Sequence, residues 1–176
     1  MKSFHHLALL MLLAAAAVAP CSEERPSMNH RPEFRQTLFI GCSSEVLWSH
    51  LVDPRLVDQY FLCQLEALEP VVGGAVSYGF KGQSYIGGVI QVFEAGKELT
   101  HTFRFLDSSD PETRVSYLLE PIGDKLTGLT LIHSGFETEE GTYADISGGW
   151  PVILSTLKTL VETGKPLEWP ARKAAE

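Results

Sequence analysis

The chain reads as an α+β domain in which a curved antiparallel sheet wraps one long C-terminal helix. Three observations predict this. Strand-length runs separated by turn residues fill the middle of the chain. Two short helical segments follow the first strand, and a strongly one-sided helical segment comes last. A chain of 176 residues with 44% hydrophobic and 20% charged residues is long enough for one domain with a sizeable core.

The first twenty residues stand apart. Lys2 gives a positive start, residues 7–18 are an uninterrupted apolar run, and small residues lead to Cys21. A membrane-spanning helix needs about 20 apolar residues, so residues 1–20 read as a signal peptide for export. Residues 18–21 are similar to a bacterial lipoprotein signal, with Cys21 as the candidate lipidation site and a periplasmic, membrane-anchored protein as the outcome. Pro20 departs from that pattern, and ordinary cleavage to a soluble secreted protein is the alternative. Residues 21–33 are polar with two prolines and read as a flexible tether. The domain is expected over residues 34–166, with a tail at 167–176.

Within the domain, residues 36–40 form the first strand. Ser43 or Ser44 caps a helix through Val46, Leu47, His50 and Leu51 to about Val52. Pro54 starts a second short helix with Leu56, Val57 and Tyr60 on one side. Strands are expected at 75–80, 85–93, 98–105, 114–120 and 125–133. Their separators are Gly73-Gly74, Lys81-Gly82, Ala95-Gly96, residues 108–111 and Gly123-Asp124. Leu99, His101, Phe103 and Phe105 alternate with Thr100, Thr102 and Arg104, and Leu129, Leu131 and His133 alternate likewise. Short turns imply antiparallel pairing. In residues 148–166, Trp150, Ile153, Leu154, Leu157, Leu160 and Val161 fall on one face of a helix of roughly 14 residues. Pro151 suits its first turn, and Gly164 with Pro166 suits its stop.

Specific residues then resemble a family. Glu45-Val46-Leu47-Trp48, Leu51, Asp53-Pro54 and Tyr60-Phe61 are followed by Pro70, Gly73-Gly74, Gly87-Gly88-Val89-Ile90 and Lys97-Glu98-Leu99. Leu129-Thr130-Leu131, Gly135-Phe136, Gly149-Trp150 and residues 157–164 complete the match. In this order the residues resemble the SRPBCC (START-like, helix-grip) superfamily, in the branch of activator of Hsp90 ATPase homologues. The family often carries a tryptophan in the strand after Leu99, where this chain has His101 and Phe103. The resemblance implies a helix-grip fold with a cavity between sheet and long helix, often used for small hydrophobic ligands. It does not imply one activity, because ligand carriers, aromatic cyclases and chaperone cofactors share the fold.

The charge pattern narrows the partners. A net charge of −8 argues against a general nucleic-acid binder, which gains affinity by neutralising phosphates. Of six histidines, only His50, His101 and His133 lie in the domain, in three elements without ligand spacing, so no metal site is expected. No cofactor motif is present; the glycine pairs lack the Lys-Ser/Thr of a phosphate loop. His101, His133, Tyr85, Tyr117 and Glu137 are the acid–base candidates, yet none forms a recognisable pair. Glu137, Glu139 and Glu140 lack the pattern of a calcium loop. No catalytic residues are assigned, and the residues point to binding more than to chemistry.

If the cavity is open, its lining candidates are Tyr85, His101, Phe103, Tyr117, Leu131, His133, Trp150 and Leu154, and its occupant is a small hydrophobic molecule. If those side chains fill it, the domain is a packed interaction module. An Hsp90-type partner conflicts with export, since Hsp90 and its ATP are cytosolic. A polyketide cyclase-like enzyme is the remaining alternative. Cys42 and Cys63 form an even pair once Cys21 is lipidated. They either bridge, closing a loop of about 20 residues for roughly 3 kcal/mol, or stay separate buried thiols.

Overall fold

The computed structural model describes residues 31–168. The expected signal peptide, Cys21, most of the expected tether and the end of the tail lie outside the described residues. The element order is β1 (Glu33–Ile40), α1 (Ser44–Val52), α2 (Pro54–Val57), β2 (Gln64–Leu68), β3 (Ala75–Phe80), β4 (Gln83–Glu94), β5 (Glu98–Phe105), β6 (Thr113–Pro121), β7 (Thr127–Ser134) and α3 (Thr142–Thr163). β1 starts at Glu33, one residue inside the expected tether. The strands form one sheet in the order β1-β7-β6-β5-β4-β3-β2, antiparallel at every pairing.

Local chemistry accounts for these elements. The Ser43 hydroxyl accepts from the Val46 N–H and caps α1. Asp53 ends α1 and caps α2, and Pro54 occupies the first turn of α2. β2 (QLEAL) escapes the sequence reading because it is short and carries only two leucines. It becomes a strand by pairing with β3, through a register shift between Leu65 and Ala67. The sheet bends where Gly88 lies against β5. A Cβ there would sit 1.9 Å from the Thr102 carbonyl oxygen, so only glycine permits this approach.

α3 differs most from expectation. It has 22 residues, and Pro151 lies inside it instead of in its first turn. Gly148-Gly149 and Pro151 read locally as a boundary. The real start lies about two turns earlier, and its cap comes from far away in sequence. Asp110 Oδ2 accepts from both the Thr142 N–H (2.8 Å) and the Thr142 hydroxyl (2.7 Å), which compensates for Gly141 offering no side-chain cap. Gly164 ends the helix at φ 75°, as expected for a left-handed stop.

Ile146, Trp150, Ile153, Leu154, Leu157 and Leu160 of α3 are buried against the concave side of the sheet. The C-terminal end of α3 is tied to the end of β1. Lys158 Nζ donates to the Phe39 carbonyl, and Glu162 Oε1 accepts from the Gly41 N–H. The i,i+4 pair of Lys158 and Glu162 completes this contact. No helix among the described residues is long and apolar enough to cross a membrane.

The cysteine bridge does not form. Cys42 and Cys63 are free, half-buried thiols. Cys42 lies beside Glu162 near the end of α3, whereas Cys63 shares a cavity with Gly149, Trp150 and Ile153. Ile153 and Glu162 are nine residues apart on one helix, about 14 Å at 1.5 Å per residue, well beyond disulfide reach. Burial pushes both thiols up, assisted by Glu162 at Cys42 and by Glu66 at Cys63, so both stay protonated near neutral pH.

Candidate functional site

Sheet and helix meet in an aromatic interior that opens at one end into a small apolar cavity. The cavity, about 120 Å³, lies between the first half of α3, β4, β5 and the segment joining α2 to β2. Phe61, Ile86, Phe103, Phe105, Trp150 and Ile153 make most of its wall, with Cys63 and Gly149 at the edges and Asp145 as the one charged lining residue. A larger groove beside residues 137–141 is lined by Asp110, Glu137, Glu140 and Thr142. It is polar and acidic, and Asp110 is already committed to the cap of α3. Among the described residues no group of His, Cys, Asp or Glu is arranged to hold a metal ion.

The expected lining residues separate into three groups. Phe103 and Trp150 stand in the cavity wall. His101, Tyr117, Leu131, His133 and Leu154 are buried behind that wall and fill the space between sheet and helix. Tyr85 belongs to neither group: it is 40% exposed, and its hydroxyl reaches Gln83. The pleat explains this correction, because Ile86 faces the core and its strand neighbour must point away. Phe61 and Ile86 were absent from the expected lining. Phe61 was visible as half of the Tyr60-Phe61 pair, and Ile86 as the residue in phase with buried Ile90.

Behind the wall, rings meet in sequence. Phe61 stacks on Tyr78 with centroids 4.5 Å apart and meets Trp150 edge-on at 6.0 Å. Trp150 meets Tyr117 edge-on at 6.1 Å. The His101 ring lies 6.5 Å from Tyr78 and 6.3 Å from Tyr117. Burial raises the pKa of Tyr60, Tyr78 and Tyr117, and at Tyr60 and Tyr117 the neighbouring tyrosines raise it further. All three hydroxyls therefore stay neutral. Tyr60 donates to the His50 carbonyl at 3.0 Å.

The two buried histidines flank Val115 across the sheet, His101 on β5 and His133 on β7. Trp150 Nε1–H donates to His133 Nδ1 at 3.0 Å. That nitrogen must then be bare, which places the ring proton on Nε2, donating to Thr113 Oγ1 at 2.7 Å. The Thr113 hydroxyl passes its own proton to the Phe103 carbonyl at 3.0 Å. Every polar atom in this chain is used. Burial, and secondarily His101, depress His133 to about 3, so it is neutral at physiological pH.

His101 has the opposite tautomer. Its Nδ1 lies 2.7 Å from the Thr102 carbonyl oxygen, which can only accept, so Nδ1 carries the proton. Nε2 is then a bare acceptor, and no protein donor among the described residues meets it although the residue is 1% exposed. Burial lowers the His101 pKa, partly offset by the bond to Thr102.

Comparison with known proteins decides the family. Residues 42–162 match the profile described as activator of Hsp90 ATPase homolog 1-like protein. The chain belongs to that family. A search of curated protein sequences finds no match. Among solved structures, DynU16 from the dynemicin biosynthetic locus superposes with a TM-score of 0.65 at 24% identity, covering 78% of this chain. The match spans 49% of DynU16, so this chain corresponds to about half of that protein. The Aha1 dimer from Colwellia psychrerythraea gives a TM-score of 0.65 at 20% identity, covering 76% of this chain and 98% of that one. PFC0360w, an HSP90 activator from Plasmodium falciparum, gives 0.63 at 21% identity, covering 76% and 97%. At these identities the likeness establishes the helix-grip fold of this member of the Hsp90-activator-homologue family.

Proposed function

We propose that this family member binds a small, uncharged hydrophobic molecule in the cavity between β4, β5 and α3, without catalysis. The observation that carries this reading is the cavity wall itself: four aromatic rings and three isoleucines around a space of about 120 Å³. Engineered apolar cavities of about 150 Å³ bind benzene, so the space suits a single ring. Anything larger requires Phe61 to move. That residue sits between α2 and β2, outside any helix or strand, and is half-buried. The test is a titration of the purified domain with toluene, followed by amide chemical shifts. Saturable shifts at Phe61, Phe103, Trp150 and Ile153 are expected, and their absence would overturn the reading.

Export and a lipid on Cys21 are proposed from the first 21 residues. The intact mass of protein purified from its native membrane tests both. Loss of residues 1–20 with added acyl chains is expected, and an unprocessed cytosolic chain would refute export. A second reading, an interaction module of the kind named by the Hsp90-activator neighbours, draws on the exposed apolar side chains Tyr85, Val89 and Leu106. An unprocessed cytosolic protein that copurifies with Hsp90 would put this reading first.

A further inference from the structure

We propose that His101 Nε2 is the recognition atom of the cavity, and that the ligand is a neutral, ring-sized molecule bearing a hydroxyl, of the phenol class. This deepens the binding reading above and rests on it. A buried acceptor without a donor costs roughly 1–3 kcal/mol, and the described residues supply none for Nε2. The ring is held by its other nitrogen, because Nδ1–H is fixed on the Thr102 carbonyl of its own strand. Nε2 therefore faces away from that strand, toward the space shared with Tyr78 and Tyr117.

That space adjoins the cavity. Phe103, in the cavity wall, is two residues from His101 on the same face of β5, about 7 Å along the strand. Phe61 is the remaining partition, stacked on Tyr78 on one side and lining the cavity on the other. Binding at Nε2 requires the Phe61 ring to swing out with its loop, which would join the cavity to the space beside His101 as one slot. A ring entering it packs against Phe103 and Trp150 and brings a para or terminal hydroxyl to Nε2.

The chemistry of the slot selects the class. Its one fully buried polar atom without a partner among the described residues, His101 Nε2, accepts, so a ligand donor completes it, while the Tyr78 and Tyr117 hydroxyls beside it can serve either role. No cation lines it, and Asp145 stands at the rim, so a carboxylate would be desolvated and repelled. His133, the other buried imidazole, offers nothing because both nitrogens are engaged.

The test compares phenol, toluene and benzoate on the full domain by NMR titration, in wild type and His101→Phe. Phenol and toluene have the same shape, so the ratio of their dissociation constants isolates the hydroxyl. The expected result is that His101→Phe shifts that ratio about tenfold toward toluene while toluene itself still binds. Benzoate should not bind. In wild type the His101 Nε2 resonance should move with phenol and stay with toluene, a readout independent of whether the variant folds. Toluene binding with an unchanged ratio and an unmoved Nε2 would overturn the recognition role and leave the apolar cavity standing. Benzoate binding more tightly than phenol would also overturn it. Failure of both toluene and phenol to bind would overturn the cavity reading, and the His101 role with it.

Discussion

His101 and His133 sit two strands apart on one face of the same sheet, both fully buried and both neutral, yet their surroundings assign them opposite jobs. His133 is closed on both sides, taking a proton from Trp150 on α3 and giving one to Thr113 on β6. It fastens the helix to the sheet. His101 is closed on one side only, and its second nitrogen meets no donor among the described residues. Burial alone does not make a histidine functional. What distinguishes the two is whether the protein completes the hydrogen bonds itself.

Substitution at neutral pH should separate them. His133→Phe strands the Trp150 N–H and removes the Thr113 contact, at an expected cost of about 1–3 kcal/mol in urea unfolding. His101→Phe removes an acceptor that already lacks a partner together with the single Nδ1–H bond to Thr102, so it should cost less than His133→Phe. A large loss there would mean that the protein satisfies Nε2 internally, and the contrast would fail.

Acid should not separate them, which sharpens the point. Both imidazoles have folded-state pKa values below their unfolded value near 6.5, so the unfolded chain binds more protons in that window. Their stabilisation is complete above pH 6.5 and is lost as pH falls, for His133 down to about 3. Each contributes up to about 1.4 kcal/mol per pH unit. Replacing either one by Phe should make stability fall less steeply as pH drops below 6.5.

Two further substitutions probe the first half of the helix that His133 fastens. Asp110→Ala removes the cap on Thr142 and should cost about 1 kcal/mol, read as a lower urea midpoint. Gly149→Ala acts at the cavity edge, where the new Cβ would meet Leu62 Cδ1 at 3.8 Å. It should stabilise α3 by up to about 1 kcal/mol while weakening toluene binding severalfold. Tighter binding would place the ligand elsewhere.

Much of this contrast lies beyond local sequence. The alternation of Leu99, His101 and Phe103, and of Leu129, Leu131 and His133, correctly put both histidines on the concave face. The helix-grip order of elements was equally legible, because periodicity and turn residues act locally. The start of α3 was not, since its cap is Asp110, 32 residues upstream. Tyr85, named among the lining candidates, points away from the cavity because its neighbour Ile86 is buried in the core. The fates of the two histidines depend on cross-strand register and on where Trp150 lands, which no spacing along one strand encodes.

The most direct measurement is the long-range nitrogen–proton spectrum of the histidine rings in uniformly labelled wild-type protein at neutral pH, before and after phenol. Two buried neutral rings in opposite tautomers are expected, His133 protonated on Nε2 and His101 on Nδ1, with phenol moving the His101 Nε2 signal alone. A shared tautomer, a charged ring, or a phenol response at His133 without one at His101 would contradict the division of labour between them.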